Sequence, residues 1–288
     1  MKKKKKILIV GHRGLVGSNL FNTINKDNNF LVKGISSREI NLIKENSYKK
    51  LKKFNSYDNI IFCSAIKSDF GNNFENLDQN INLINNFIKG IDIKKIKKLI
   101  YLSSNAVYGV HVNHYNVNEK SKLISDTPYS LSKYFSEKIL ELKFKNHKEK
   151  LVILRPTTIF GNEEKILAGN PYGFLNKMLR GVTIKLWGKG DEKREFLFVD
   201  DLSKIIIQII KINFYGILNI GGFRSSYINI IKKIARKFKI KINVVFQKRT
   251  TTKVDKFYDS KLLKKLFPNF IYTNLDEYLE NKKKNNEL

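Results

Sequence analysis

Ile7-Leu8-Ile9-Val10-Gly11-His12-Arg13-Gly14-Leu15-Val16-Gly17 decides how the chain is read. The aliphatic run reads as a short strand buried on both faces, and Leu15, Val16, Leu20, Phe21 and Ile24 follow at helical spacing. Between strand and helix the glycines form a G-x-x-G-x-x-G run. Glycine permits the tight turn and lets a pyrophosphate approach backbone N–H groups at a helix N-terminus, where the helix dipole favours negative charge. A glycine pattern alone is a weak signal; the strand before it and the helix after it make Gly11, Arg13, Gly14, Leu15, Val16 and Gly17 a candidate dinucleotide cradle.

Working outward, a second strand reads as Phe30–Ile35 and ends at Ser36, Ser37 and Arg38. An NAD site usually has an acid there for the ribose 2′-OH, and Glu39 falls too late for that place, whereas Arg13, Lys33 and Arg38 suit a 2′-phosphate. NADP(H) is the favoured cofactor, with NAD(H) the other possibility. Asn59–Ala65 reads as a buried strand, with small Ser64 and Ala65 at its end, and a helix passes through Asn80–Ile88. Lys98–Ser104 is a further strand closing on two hydroxyls, Ser103 and Ser104, which an open parallel sheet delivers to its ligand edge. A loop from Gly109 to Pro128 leads to Tyr129-Ser130-Leu131-Ser132-Lys133, where Tyr129 and Lys133 share one face of a helix continuing through Phe135, Ile139 and Leu142. An ammonium beside a phenol favours the phenolate, which suits an acid/base catalyst.

With the apolar strand Leu151–Pro156, the alternation of strands and amphipathic helices predicts an α/β, Rossmann-type, doubly wound parallel sheet. After Gly161 the texture becomes polar and turn-rich. Residues 1–161 are therefore expected to form the dinucleotide-binding domain, with 196–221 returning to it; 162–195 and 222–288 form a smaller substrate lobe of α/β type. A chain of 288 residues that is 42% hydrophobic can bury a core of this size. The excess of 55 Lys+Arg over 26 Asp+Glu, formally +29, is spread over nearly every segment and favours polyanionic ligands in general.

The lone cysteine, Cys63, excludes an internal disulfide framework and fits buried filler in a reducing compartment. The apolar run after Lys2–Lys6 is too short for a secretory signal, and no stretch is long enough to cross a membrane, so a cytoplasmic protein is expected. His111, His114 and His147 lack partners at metal-ligand spacing and are expected in loops or at the surface, with no metal. Trp187 is expected in the core.

The cradle, the strand-end hydroxyls and the Tyr/Lys pair stand in a fixed order. With Ser103–Gly109, Leu154–Gly161, Trp187–Asp191, Arg194–Phe196 and Val199–Asp201, they make the chain resemble the extended short-chain dehydrogenase/reductases over nearly its whole length, in the nucleotide-sugar epimerase/dehydratase family. The resemblance implies that Tyr129 exchanges a proton with a sugar oxygen, that Lys133 lowers its pKa and holds the nicotinamide ribose, and that Ser104 bonds the reacting oxygen. It further implies cofactor contacts at Arg38, Asn41, Leu42, Ser64, Ala65 and Asn80, and substrate contacts at Asn105, Asn162 and Arg194, the last gripping a diphosphate. The partner it implies is a nucleotide-diphosphate sugar, with no nucleic acid or membrane, in a homodimer built on the Tyr129 helix.

Gly11–Gly17 and Arg38–Leu42 look most like the GDP-L-fucose synthase branch of that family, but its epimerising cysteine is replaced by Ala106, and residues 161–180 contain no histidine. The acid pair of the dehydratase branch is also missing, since Asn105-Ala106 stands in its place. What remains is enough for hydride transfer: a 4-keto-sugar-nucleotide reductase of surface polysaccharide synthesis, or alternatively an NAD-dependent C4 epimerase. A non-catalytic RNA-binding protein of the same fold is the distant alternative.

Overall fold

The computed structural model describes residues 4–67, 72–161 and 169–284. In chain order the elements are β1 (Lys5–Val10), α1 (Leu15–Asn25), β2 (Phe30–Ile35), β3 (Asn59–Phe62), α2 (Phe74–Gly90), β4 (Lys98–Leu102), β5 (His114–Val117), α3 (Pro128–Lys143), β6 (Leu151–Pro156) and β7 (Thr158–Phe160). They continue with α4 (Pro171–Leu179), β8 (Ile184–Trp187), β9 (Lys193–Phe198), α5 (Val199–Lys211), β10 (Gly216–Ile220), β11 (Phe223–Ser226), α6 (Tyr227–Phe238), β12 (Val244–Gln247), β13 (Lys256–Tyr258), α7 (Lys261–Leu266) and α8 (Leu275–Lys284). Contacts divide the chain into two units, one of 1–110, 119–156 and 202–219, the other of 111–118, 157–201 and 220–288.

In the first unit the aliphatic runs become a six-stranded sheet in the order β10-β6-β4-β3-β1-β2. β3, β4 and β6 are buried at every position, as strands covered on both faces must be. Each Ile, Leu or Phe so placed contributes about 1.5–3 kcal/mol relative to an exposed one. Val10 pairs with Ile35 and Phe62, Phe62 with Tyr101, and Leu102 with Leu154, all in parallel register. That register brings Gly11, Ser36, Cys63 and Ser103 to one edge of the sheet. β2 and β3 flank β1 on opposite sides, so strand order reverses there and leaves the crevice that binds ligands in open α/β sheets. Phe62, Phe87, Tyr101, Leu140 and Phe144 belong to the core that α2 and α3 bury against one face.

The second unit is built on the sheet β11-β9-β7 and two parallel pairs, β12 with β8 and β13 with β5. Its core joins Phe160, Phe174, Phe196, Ile230, Ile234 and Tyr278. The stretch 109–128, expected as loop, contributes β5, and His114 on it is buried rather than at the surface, because its ring packs 5.9 Å from Tyr258. Trp187 is 53% exposed, not core: on β8 the buried and exposed positions alternate, and Trp187 falls on the outward face.

Candidate active site

The glycine turn forms as the sequence predicts. Gly11 N–H donates to the Ile35 carbonyl at 2.7 Å and Gly14 N–H to the Gly11 carbonyl at 3.1 Å. Gly11 has φ +92°, and a Cβ there would meet Ser64 N and Oγ at 2.8 Å, so β1 and the end of β3 approach as closely as only glycine allows. A Cβ on Gly17 would lie 2.1 Å from the Gly11 carbonyl oxygen, which lets α1 start hard against the turn. Gly14 caps α1 with no side-chain bond, so the first-turn N–H groups around Leu15, Val16 and Gly17 are offered to a ligand.

At the end of β2, Arg13 and Arg38 are both exposed. Glu39, three residues past Ser36, folds back onto the strand end. Its Oε2 accepts from Ser36 N at 2.8 Å and Ser36 Oγ at 2.5 Å, and Oε1 pairs with Arg13 at 3.6 Å. The Ser36 donors, with Arg13 as a weaker cause, pull its carboxyl down to about 2. The sequence rule counts residues after the strand; a turn in which Glu39 and Ile40 N–H return to the Ser36 carbonyl folds the side chain back.

Asn41 Oδ1 accepts from Ile43 N–H. Leu42 is a core side chain, 3% exposed, whose carbonyl takes a bond from Asn86 Nδ2 at 2.8 Å. Asn80 is buried and clamps the Ile66 backbone, accepting its N–H at 2.8 Å and donating to its carbonyl at 3.0 Å. It holds the Ser64–Ala65 segment in place from behind. Ser64, Ala65, Asn80, Tyr101, Ser132 and Lys133 are among the residues lining a small pocket of the first unit. A cradle that a Cβ would fill, a helix N-terminus facing it and a polar pocket beyond fit a nicotinamide dinucleotide.

Ser104 caps the 3-10 turn Asn105–Tyr108, accepting Ala106 N–H at 3.1 Å, and stays half-buried beside Asn105. Ser103 does not reach the ligand side: adjacent residues on a strand point opposite ways, and its Oγ bonds Glu137. α3 starts at Pro128 behind a capping box of Thr127 and Ser130, which places half-buried Tyr129 in its first turn. Lys133, one turn on and 4% exposed, donates to the Leu102 carbonyl at 2.8 Å, with Nζ 5.9 Å from the centre of the Tyr129 ring and 5.1 Å from that of Tyr101. Burial lowers its pKa to about 8, against opposing contributions from Cys63 and Glu137. Cys63 is half-buried rather than fully enclosed, and desolvation pushes its thiol up to about 12.

Arg194 belongs to the second unit. On β9 it alternates with Glu195, which turns inward to Arg224 Nε at 2.8 Å while Arg194 takes the other face. Arg194 Nη2 meets Glu192 at 3.3 Å, and its Nη1 is buried with no partner among the described residues. Arg249, which sequence reasoning passed over among many basic residues, also pairs with Glu192 and donates to the Trp187 carbonyl at 3.2 Å. Asn162 lies outside the described residues. Among the described residues no cluster of His, Cys, Asp or Glu could hold a metal, and no helix is long and apolar enough to cross a membrane.

Residues 7–221 match the model of the NAD dependent epimerase/dehydratase family. Among curated proteins the chain is similar to dTDP-D-glucose 4,6-dehydratase of Dictyostelium discoideum, 32% identical over 49% of this chain and 35% of that one. It is also similar to GDP-L-colitose synthase of Yersinia pseudotuberculosis, 25% identical over 71% of this chain and 72% of the other. The match to the first spans about a third of that relative's length. Among solved structures, UDP-glucose 4-epimerase of Thermotoga maritima with UDP-glucose superposes with a TM-score of 0.80 over 96% of each chain at 19% identity, a likeness of fold.

Proposed function

The chain belongs to the NAD dependent epimerase/dehydratase family, and we propose that within it this protein is an NADP(H)-dependent oxidoreductase that reduces a 4-keto sugar joined to a nucleoside diphosphate. The observation that carries the reading is the composition of the strand end. Ser104, Tyr129 and Lys133 stand there, and the adjoining Asn105-Ala106 offers neither the acid pair that eliminates water nor the thiol that epimerises beside a ketone. When bound, the nicotinamide supplies the hydride. Ser104 Oγ donates to the ketone oxygen, and the Tyr129 phenol gives it a proton as the alcohol forms. Lys133 stabilises the phenolate left behind, because an ammonium one helical turn away favours the charged form.

Arg13 and Arg38, exposed at the end of β2, support the 2′-phosphate. In the second unit Arg194 and Arg249, which share Glu192, are assigned to the diphosphate, where a guanidinium fork suits two oxygens at once. Exposed Phe135 and Leu142 on α3 support a homodimer, and supply of a surface polysaccharide is the role that fits such a product. A second reading, a C4 epimerase with retained NAD, is favoured by one observation: the Glu39 carboxylate folds onto Ser36 at the strand end, where an acid would bond a ribose 2′-OH.

Extraction of cofactor from the natively purified protein, with turnover assays, tests the choice. Consumption of NADPH with a 4-keto sugar nucleotide supports reduction. Retained NAD and sugar interconversion without net cofactor consumption would overturn it.

A further inference from the structure

Behind the strand end lies a buried polar array that the chemistry proposed for the site does not use. Glu137, one turn beyond Lys133 on α3, is 0% exposed. Its Oε1 accepts from Ser103 Oγ at 2.5 Å and Arg155 Nε at 3.0 Å, and its Oε2 accepts from Arg155 Nη2 at 2.6 Å. Arg155 is 2% exposed near the end of β6 and gives Nη1 to the Tyr108 hydroxyl at 2.8 Å; that hydroxyl donates onward to Asn219 Oδ1 at 2.7 Å. Asn219 N–H is held in turn by Glu119 Oε1 at 2.9 Å. Both oxygens of the carboxylate and all three nitrogens of the guanidinium are engaged, and every member belongs to the first unit.

A buried ion pair is weak evidence for stability, since the cost of removing two charges from water offsets most of their attraction. What this one does is join separate pieces of chain. Ser103 adjoins Ser104, and Tyr108 ends the 3-10 turn that Ser104 caps. Glu137 shares a helix face with Lys133 and Tyr129, at steps of one and two turns. Arg155 bridges the two groups from β6. We infer that the Glu137–Arg155–Tyr108 array is a positioning device for the hydride-transfer site, setting the separation between Ser104 on its turn and Tyr129 with Lys133 on α3.

The array also carries charge to Lys133. Among the described residues the titratable groups facing that ammonium are Cys63 from the end of β3, Tyr101 from β4, and Tyr129 and Glu137 from α3, with the Leu102 carbonyl as its hydrogen-bond acceptor. Burial raises both the Cys63 thiol and the Tyr101 phenol, so neither is an anion at neutral pH. Glu137, paired with Arg155, is the carboxylate of the set. It acts through Arg155 and Lys133 and touches no reacting atom.

The inference rests on the proposed reductase activity, and the test separates the two. Glu137→Gln and Tyr108→Phe are compared with Lys98→Met, a change at the opposite end of β4 that removes bonds to the Ile209 and Ile212 carbonyls at 2.8 and 2.7 Å. The Lys133 ammonium is titrated by NMR on protein with carbon-labelled lysine, assigned by loss of its signal in Lys133→Arg; kcat and KM are measured with a 4-keto sugar nucleotide. Glu137→Gln should lower the Lys133 midpoint by about one pH unit and kcat by about tenfold or more, because misplacement of reacting groups falls on the chemical step, with KM little changed. Tyr108→Phe should lower kcat while leaving the midpoint in place, and Lys98→Met should move neither at a comparable loss of thermal stability. An unmoved midpoint in Glu137→Gln, or kcat losses that follow thermal stability across all three variants, would overturn the inference. Should Glu137→Gln fail to fold, Tyr108→Phe against Lys98→Met decides it. Should the wild type reduce no keto sugar, the functional reading fails, and the Lys133 midpoint still judges the array.

Discussion

Replacing Lys133 with Met should stabilise the protein near neutral pH while abolishing turnover, and the stabilisation should vanish as pH rises. Burial drops the lysine from its ordinary value of 10.5 to about 8. At about 1.36 kcal/mol per pH unit, keeping it charged inside the fold costs about 3 kcal/mol at pH 7. The variant escapes that cost but leaves the Leu102 carbonyl, bonded by Nζ at 2.8 Å, without this donor, a loss of about 1–3 kcal/mol. The net expectation at pH 7 is a variant more stable than wild type by up to about 2 kcal/mol. Below pH 8 the lysine is protonated in both folded and unfolded chains, and the difference is constant. Between pH 8 and 10.5 the unfolded chain holds the proton that the folded one has released, so wild-type stability rises with pH while the Met variant lacks that slope. The difference should therefore swing by about 3 kcal/mol across the window and end with the variant the less stable. Urea titrations of both proteins at pH 7, 9 and 10.5, with equal m-values, read this directly. A difference independent of pH would show that Lys133 is not held at a desolvation cost.

Glu39→Gln removes a carboxylate next to Arg13, so NADPH should bind more tightly relative to NADH by about threefold or more, since a like charge near the 2′-phosphate is gone; fluorescence titration with each cofactor checks it, and an unchanged ratio refutes it. Because that carboxyl sits at about 2, it stays ionised above pH 4 and adds no pH dependence of its own to the wild-type ratio there. Asn80→Leu strips both bonds from the Ile66 backbone and should weaken cofactor binding through the Ser64–Ala65 segment, at a stability cost of about 1–3 kcal/mol; unchanged cofactor affinity would sink that role. Tyr129→Phe should lose about 10²–10⁴-fold in turnover with cofactor binding retained, measured by steady-state kinetics beside the same titration.

The sheet was legible because its strands are aliphatic runs too short for helices, and the cradle because glycine at Gly11 answers a steric demand, the approach of Ser64, that leaves a mark in the sequence. Capped by Thr127, Tyr129 and Lys133 could be placed from spacing alone. What the sequence hid depends on direction. Ser103 and Ser104 read alike, yet strand alternation sends one to Glu137 and leaves the other at the edge. Counting along the chain sets Glu39 past the strand end, whereas its side chain folds back three residues to Ser36. Residue type places Trp187 in the core, and alternation on β8 overrides type. Glu137, Arg155, Tyr108 and Asn219 come from four distant segments and meet only in the fold, so no local pattern announced them.

The fate of the buried carboxylate bears on the chemistry. Elimination of water or inversion beside a ketone needs an ionisable group free to take a proton from carbon. Among the described residues of the first unit, Glu137 is the carboxylate whose charge acts on Lys133, and both its oxygens are committed to Arg155 and Ser103. It can support the charge of Lys133 and fix geometry, but it cannot accept a further proton without breaking a buried bidentate pair, a step costing about 3–5 kcal/mol. Under the proposed reading this division limits the site to hydride transfer: the anion is locked behind the strand end, and a hydroxyl, a phenol and an ammonium are left in front. Restoring a single acid in front, as in Ala106→Glu, should then add slow exchange of the hydrogens beside the ketone with solvent deuterium, detectable by mass spectrometry of the sugar. Exchange at the same rate in the wild type would show that a base is already free there, and that the site does more than transfer a hydride.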